Sequence, residues 1–300
     1  LGGNVRGLAT LPLLNSVHSG DYVVLELDSW QLQGFGEAKI SPHVAVFTNL
    51  MPDHMNYYKN DMDKYLADKA NIFLYQNKND VLIAGKEIAK EIVKKFKIPG
   101  KIISKGAEDL EKNIKLLIEG EHNRANAILA YEATKFLGIN EKTIEKALEE
   151  FSGVEGRLQF VGEKNGIKIY NDNNATTADA TFAGLIALGN SDKNIILITG
   201  GADKGLDMTK LIEGIKKYCR AAILLSGTGT EKIKSDILSI KNLETYEDEK
   251  LEECIKKATS LAKKGDTILF SPAFASFSKY FQNEYERNDL FLKEIRTWIG

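Results

Sequence analysis

Between Asn49 and Lys69 the sequence NLMPDHMNYYKNDMDKYLADK gathers residue types that can hold metals or move protons. Asp53 and His54 follow the apolar, β-branched run Val44, Ala45, Val46, Phe47, so a strand feeds a polar loop, the usual address of a site in an α/β sheet. Beyond them Met62, Tyr65, Leu66, Ile72 and Phe73 recur at helical spacing, and Lys69 lies inside that stripe. The spacing predicts an inward lysine. Such an ammonium is costly unless it pairs with an anion, reaches back to a surface along its methylenes, or is chemically altered. His54 taken alone is a structural hydrogen-bonder, a ligand or a base. Upstream, Glu26 stands in YVVLEL (residues 22–27), which reads as a buried strand, where a carboxylate calls for a partner, a cation or a metal. Asp28, Ser29 and Gln31 extend that polar cluster.

Three further groups could do chemistry. Asn123 and Asn126, three apart, share one face near the start of a helix, either capping it or offering amides to a ligand. GGADKG (residues 200–205) follows a strand and could hold a phosphate or form a tight turn. Gly227 and Gly229 make half of a GxGxxG pattern, with the third glycine absent and no acidic residue ending a second strand on cue.

The elements that must position these groups alternate. After a glycine-rich opening, residues 8–17 read as a helix that would tolerate Pro12 in its first turn. Strands are expected at 80–85 and 101–104 around a helix at 86–96, then helices after GEHNRAN and at 141–151. Ser152, Gly153 and Gly156 form the best linker. Beyond it come strands at 167–171, 194–199, 221–225 and 267–270, with helices at 178–188, 211–218, 231–238, 251–262 and 289–299. This half reads as a doubly wound α/β domain.

Composition bounds the function. A chain of 300 residues suits two domains, and a net charge of −2 with interspersed signs offers no basic stripe, so nucleic acid is not expected as a partner. Lys94, Lys95 and Lys97 alternate with Ile92, Val93 and Phe96 as one face of a solvated helix. Cys219 and Cys254 lack the spacing of a zinc site or a disulfide framework, and no apolar run is long enough to span a membrane. A cytoplasmic protein is expected.

Taken in chain order, the motifs resemble those of the Mur ligases, in particular the branch that adds D-glutamate. They are GGN (2–4), ELDSWQL (26–32), N-x-x-x-DH (49–54), AxK (67–69), GEHNRAN (120–126), G-x-x-x-R (153–157), YNDNNAT (170–176), GGADKG (200–205) and SPAFAS (271–276), spread over the whole chain. The resemblance implies a partial P-loop-type ATPase domain at residues 1–152, the Mur ligase central domain, followed by a Rossmann-like C-terminal domain at 153–300. It implies an ATP-dependent ligase in peptidoglycan precursor synthesis, acting as a cytoplasmic monomer on UDP-N-acetylmuramoyl-L-alanine and D-glutamate through an acyl phosphate. By the same resemblance Glu26 and His54 stand beside Mg²⁺, with two ions expected, and Lys69 carries a CO₂-derived carbamate; Asn4 lies near the substrate or metal. A carbamate is attracted to Mg²⁺, whereas a bare ammonium would be repelled. Asn123, Asn126, Arg157 and Asp172 match nucleotide-contacting positions. Lys204, Asn174, Thr176, Ser276 and Tyr285 match the substrate end, with Lys204 pairing a carboxylate.

The chain departs from the family pattern in three places. The phosphate-cradling G-x-x-G-K-[ST] loop is not in this sequence, so this stretch by itself is expected to be inactive. Asn174 stands where the D-glutamate branch usually has lysine. NEYER (283–287) replaces N-[FY]-x-x-R, putting Glu284 or, with a shift, Tyr285 at the aromatic position. The alternatives to the leading reading are a ligase for another amino acid and a non-catalytic nucleotide-binding module.

Overall fold

The computed structural model describes residues 1–4, 10–276 and 281–300. The chain divides into two compact units, Leu1–Gly106 with Glu132–Leu137, and Ala107–Tyr131 with Gly138–Gly300.

In the first unit β3 (Val44–Phe47), β4 (Val81–Gly85) and β5 (Lys101–Lys105) form a parallel sheet in that order. Ala45, Phe47, Leu82 and Ala84 point to one face and meet Leu66, Ala70 and Phe73 of α3 (Met62–Leu74), and Ile88, Ala89 and Ile92 of α4 (Lys86–Lys95). That packing explains the apolar stripe on α3. Between β3 and α3 lies a short helix, α2 (Met55–Tyr58). A helix that the periodicity does not announce, α1 (Ser29–Ala38), packs against α3; a Cβ at Gly36 would lie 2.6 Å from the Asn71 amide, so the glycine permits the approach.

Two expectations fail at the front of the unit. The strand expected over 22–27 is reduced to β2 (Leu25–Glu26), paired in parallel with β1 (Gly2–Gly3). Tyr22 and Val24 are each 65% exposed, and Glu26 is exposed as well. β-branched residues favour extended chain, but burial needs neighbours, and among the described residues the ladder partner of β2 is a pair of glycines. Gly3 has φ +90, and a Cβ there would lie 2.0 Å from the Glu26 carbonyl oxygen, so only glycine fits. The helix expected over 8–17 is a 3₁₀ turn at Leu11–Asn15 with Pro12 in its first turn, and none of its residues is buried to hold a longer helix; Leu8 and Ala9 lie outside the described residues.

The second unit begins with α5 (Glu121–Phe136), within which the division falls, and α6 (Glu141–Glu150); Ala127, Ile128 and Tyr131 pack on Ile144, Leu110 and Ile114. Then follow β6 (Gln159–Lys164), β7 (Ile167–Asn171), α7 (Ala178–Leu188), β8 (Ile195–Thr199), α8 (Thr209–Tyr218), β9 (Cys219–Leu225), α9 (Thr228–Leu238), β10 (Glu244–Asp248), α10 (Leu251–Leu261), β11 (Thr267–Phe270) and α11 (Glu284–Ile299). The sheet order is β10-β9-β8-β11-β7-β6, all neighbours parallel except β6 against β7. Alternate strand residues serve opposite faces. Ile196, Ile198, Ile223, Ile268 and Phe270 meet α10 and α11, while Ile195, Leu197, Leu224 and Leu269 meet α7, α8 and α9. This is the doubly wound arrangement that the continuous apolar runs predict. The last helix starts five residues before the expected 289, because Asn283 caps it by accepting from the amides of Tyr285 and Glu286. No described helix is long and apolar enough to cross a membrane.

Candidate functional site

In the first unit the chemistry converges where α1, the loop after β3, and α3 meet. Asp28 caps α1, accepting from Gln31 N at 2.8 Å, while Gln31 Oε1 accepts from Asp28 N at 3.0 Å. His54 sits at the N-terminus of α2 with left-handed backbone (φ 55). Its amide donates to Asp53 Oδ1 at 2.9 Å, and its Nε2 lies 3.6 Å from Asp53 Oδ2. The imidazole lies against Trp30 of α1, ring centroids 4.4 Å apart, and Trp30 meets Tyr57 edge-on. Asp68 accepts from Gln33 Nε2 at 2.7 Å and from Tyr58 OH at 3.0 Å, tying α1 and α2 to α3.

Lys69 is partly buried, with Nζ 5.0 Å from the Tyr65 ring centroid. Burial pushes its ammonium below the usual lysine range, and the charges of Asp28 and Asp53 draw it back part of the way. The carboxylates of Asp28 and Asp53 thus act on the amine through their charge. The same burial pushes the Tyr58 phenol up to about 12 and raises that of Tyr65. Asn4 and Glu26 come together through the β1–β2 pairing, with Asn4 N donating to Glu26 O at 2.7 Å. Among the described residues no three His, Cys, Asp or Glu side chains are close enough to hold a metal ion. Asp28 and Asp53 were legible as polar neighbours, and the Asp28-x-x-Gln31 box could have announced α1; Trp30, Tyr57 and Gln33 carried no comparable signal.

In the second unit the motif loops sit at the C-terminal ends of the parallel strands. Asp172 follows β7 and is buried, accepting from Leu158 N at 2.9 Å and Ser271 Oγ at 2.8 Å. Desolvation raises its pKa to about 6, against the lowering effect of those hydrogen bonds and of Arg157. Arg157 Nη1 donates to the Asn174 carbonyl at 3.3 Å, and Lys204 Nζ lies 3.5 Å from Thr176 Oγ1. Ser276 is buried beside Gly201 and Arg287 in a small cleft. Tyr285 stands in the first turn of α11, 37% exposed. Asn123 Nδ2 donates to the Glu119 carbonyl at 2.7 Å at the start of α5, and Asn126 one turn on is exposed.

The sequence did not single out the weight carried by Arg287. Its guanidinium is fully buried and donates to Asn173 Oδ1 (2.9 Å), Asn173 O (3.0 Å) and Phe274 O (3.3 Å), joining the YNDNNAT and SPAFAS loops. The phosphate option for GGADKG is overturned. The amides of Gly200, Gly201, Ala202, Asp203 and Gly205 donate to Pro272 O, Thr230 Oγ1, Ala275 O, Thr228 Oγ1 and Asp203 Oδ1, so the loop has turned its donors inward.

The architecture has close counterparts among solved ligases. The MurF ligase from Thermotoga maritima in complex with ADP superposes with a TM-score of 0.70, covering 99% of this chain and 74% of that one at 18% identity. The UDP-N-acetylmuramate-alanine ligase MurC from the same organism gives 0.63 over 95% and 67%. Residues 10–127 match the family model of the Mur ligase middle domain, and residues 156–274 that of the Mur ligase glutamate ligase domain. The chain belongs to the Mur ligase family. It is 36% identical to the UDP-N-acetylmuramoylalanine--D-glutamate ligase of Clostridium botulinum (strain Alaska E43 / Type E3) over 98% of this chain and 67% of that protein. The corresponding ligase of Christiangramia forsetii is 32% identical over 99% and 70%. The chain thus spans about two thirds of the length of these relatives.

Proposed function

We propose that this protein joins D-glutamate to UDP-N-acetylmuramoyl-L-alanine at the expense of ATP, as a cytoplasmic monomer. The observation that carries the reading is the agreement with D-glutamate ligases across nearly the whole chain. In the reaction the acceptor carboxylate takes the γ-phosphoryl group of ATP, releasing ADP. The amine of the amino acid then attacks the acyl carbon and expels phosphate, losing a proton as the amide forms.

Residues 1–152 act as the middle domain and 153–300 as the C-terminal domain, a division supported by family matches that end at 127 and resume at 156. Lys69 is carbamylated: its neutral amine adds to CO₂ and gives up a proton, and the depressed ammonium pKa supports this by enlarging the neutral fraction. The amine would thereby become an anion. Mg²⁺ binds through few protein ligands while keeping waters and phosphate oxygens, so Glu26, His54 and the Lys69 carbamate would suffice beside the triphosphate. When bound, it would neutralise charge between the phosphates and the acceptor carboxylate.

Asn123, Asn126 and Arg157 serve the nucleotide. Asp172 acts through its bond to Leu158 N, which fixes the segment carrying Arg157. Lys204, with Thr176 beside it, takes a carboxylate of the incoming amino acid, and Asn174, Ser276 and Tyr285 complete that end, while Asn4 serves the acceptor. The test is incubation of the full-length protein with ATP, Mg²⁺, the acceptor and a panel of amino acids, following phosphate release and product mass. Product with D-glutamate alone is expected. Product only with another amino acid, or no ATP-dependent product, would overturn the reading.

A further inference from the structure

Gly227 and Gly229, half of a dinucleotide-binding pattern in the sequence, have no part in the reaction above, and the structure gives them another use. They open α9 beside the loop that carries Lys204. A Cβ at Gly227 would stand 2.4 Å from the Gly201 carbonyl oxygen, so the two backbones touch where only glycine fits. Gly229 N donates to Gly201 O at 2.9 Å. Gly201 N donates to Thr230 Oγ1 at 3.1 Å, whose own hydroxyl donates to Leu225 O at 2.6 Å. These contacts fix the base of the loop.

Its tip is held separately. Asp203 N donates to Thr228 Oγ1 at 3.0 Å, and the Asp203 carboxylate accepts from Gly205 N at 2.9 Å and pairs with Lys232 of α9. Both neighbours of Lys204 in the chain are therefore anchored. The lysine is a long side chain whose freedom must be restricted if its ammonium is to meet a ligand at one place. Lys232 has a second effect. The Asp203 carboxylate is one residue from Lys204, and a carboxylate released from Lys232 would compete for the Lys204 ammonium.

We propose that Thr228 and Lys232 are positioning residues, which fix the Lys204 loop through Asp203 and so set where the ammonium meets the incoming amino acid. The inference rests on the reading of Lys204 given above. In the full-length protein, Thr228→Val and Lys232→Ala are each expected to raise KM for D-glutamate by about 2- to 10-fold, with KM for ATP moving by less than about 2-fold. Thr228→Ser and Lys232→Arg keep the hydroxyl and the charge, and are expected to restore the wild-type value. A role in stability alone would move both constants together or neither, and either result overturns the proposal. Amide hydrogen exchange at residues 201–205 is a second readout that needs no activity. Faster exchange in Thr228→Val and Lys232→Ala than in the wild type is expected, and unchanged exchange overturns the proposal. If exchange accelerates while the wild type uses no amino acid, the loop is held as described and the assignment of Lys204 to an amino-acid carboxylate fails, taking the positioning role with it.

Discussion

Replacing Asp172 by asparagine should stabilise the protein at neutral pH while impairing its chemistry. The carboxyl is buried against Ser271 and Leu158, and desolvation raises its pKa from 3.8 to about 6. A carboxyl with a raised folded-state pKa holds its proton more tightly when folded. Its favourable contribution is therefore complete below 3.8 and is lost as pH rises through about 6. A displacement of that size corresponds to a penalty of about 3 kcal/mol at pH 7.5 and about 1 kcal/mol at pH 4.5. Asparagine avoids the charge and preserves the contacts. Its Oδ1 can accept from Leu158 N, and its Nδ2 can donate to Ser271 Oγ, whose proton then turns to Thr181 Oγ1 at 2.9 Å. Urea unfolding of wild type and Asp172→Asn across this range should show the variant gaining about 2 kcal/mol relative to the wild type between pH 4.5 and 7.5. A difference that stays flat with pH, or runs the other way, would refute the argument that desolvation outweighs the hydrogen bonds. Lower ligase activity in the more stable variant would mark Asp172 as a site where function is kept at a cost in stability.

Two other substitutions probe the two clusters, one in each. Lys69→Ala should lower ligase activity by about 10- to 100-fold, with partial recovery on adding a short-chain carboxylic acid. Steady-state rates with and without the acid check this, and undiminished activity would remove the carbamate from the reading. Arg287→Lys should cost about 2–4 kcal/mol in urea unfolding, because a point ammonium cannot serve the Asn173 and Phe274 oxygens as the guanidinium fork does, and a cost under about 0.5 kcal/mol would contradict that account.

The central strands of the two parallel sheets were legible because β4 in the first and β8, β9 and β11 in the second are apolar runs buried on both faces, and few other segments produce such runs. The edge strands β6 and β10 escaped notice. Each has one neighbour, and ETYED and QFVGEK carry the polar residues that an edge tolerates. The opposite error at YVVLEL has the same root, since β-branched composition reports an extended backbone and says nothing of whether a partner covers it. The stripe on α3 contained Lys69, but the acids whose charge acts on it cap α1 and lie in the loop after β3, and no periodicity connects them.

Three of the described non-glycine residues with left-handed backbone lie in segments to which function is assigned; others, such as Lys39, Asn165, Lys193 and Asn242, lie elsewhere. His54, Leu158 and Ala273 are non-glycine residues with left-handed φ of 55, 42 and 62, a conformation that costs about 1–2 kcal/mol per residue. Each is held by something specific. Met55 and Tyr58 are buried against Tyr65 directly after His54, the Asp172 carboxylate accepts the Leu158 amide, and the buried Ala273 donates to Ala175 O at 2.8 Å. One raised carboxyl thus holds one strained residue, Leu158, beside Arg157. The energetic penalty of Asp172 is then part of how the Arg157 segment keeps its shape, and an asparagine there should still hold the Leu158 amide while losing the charge that attracts Arg157.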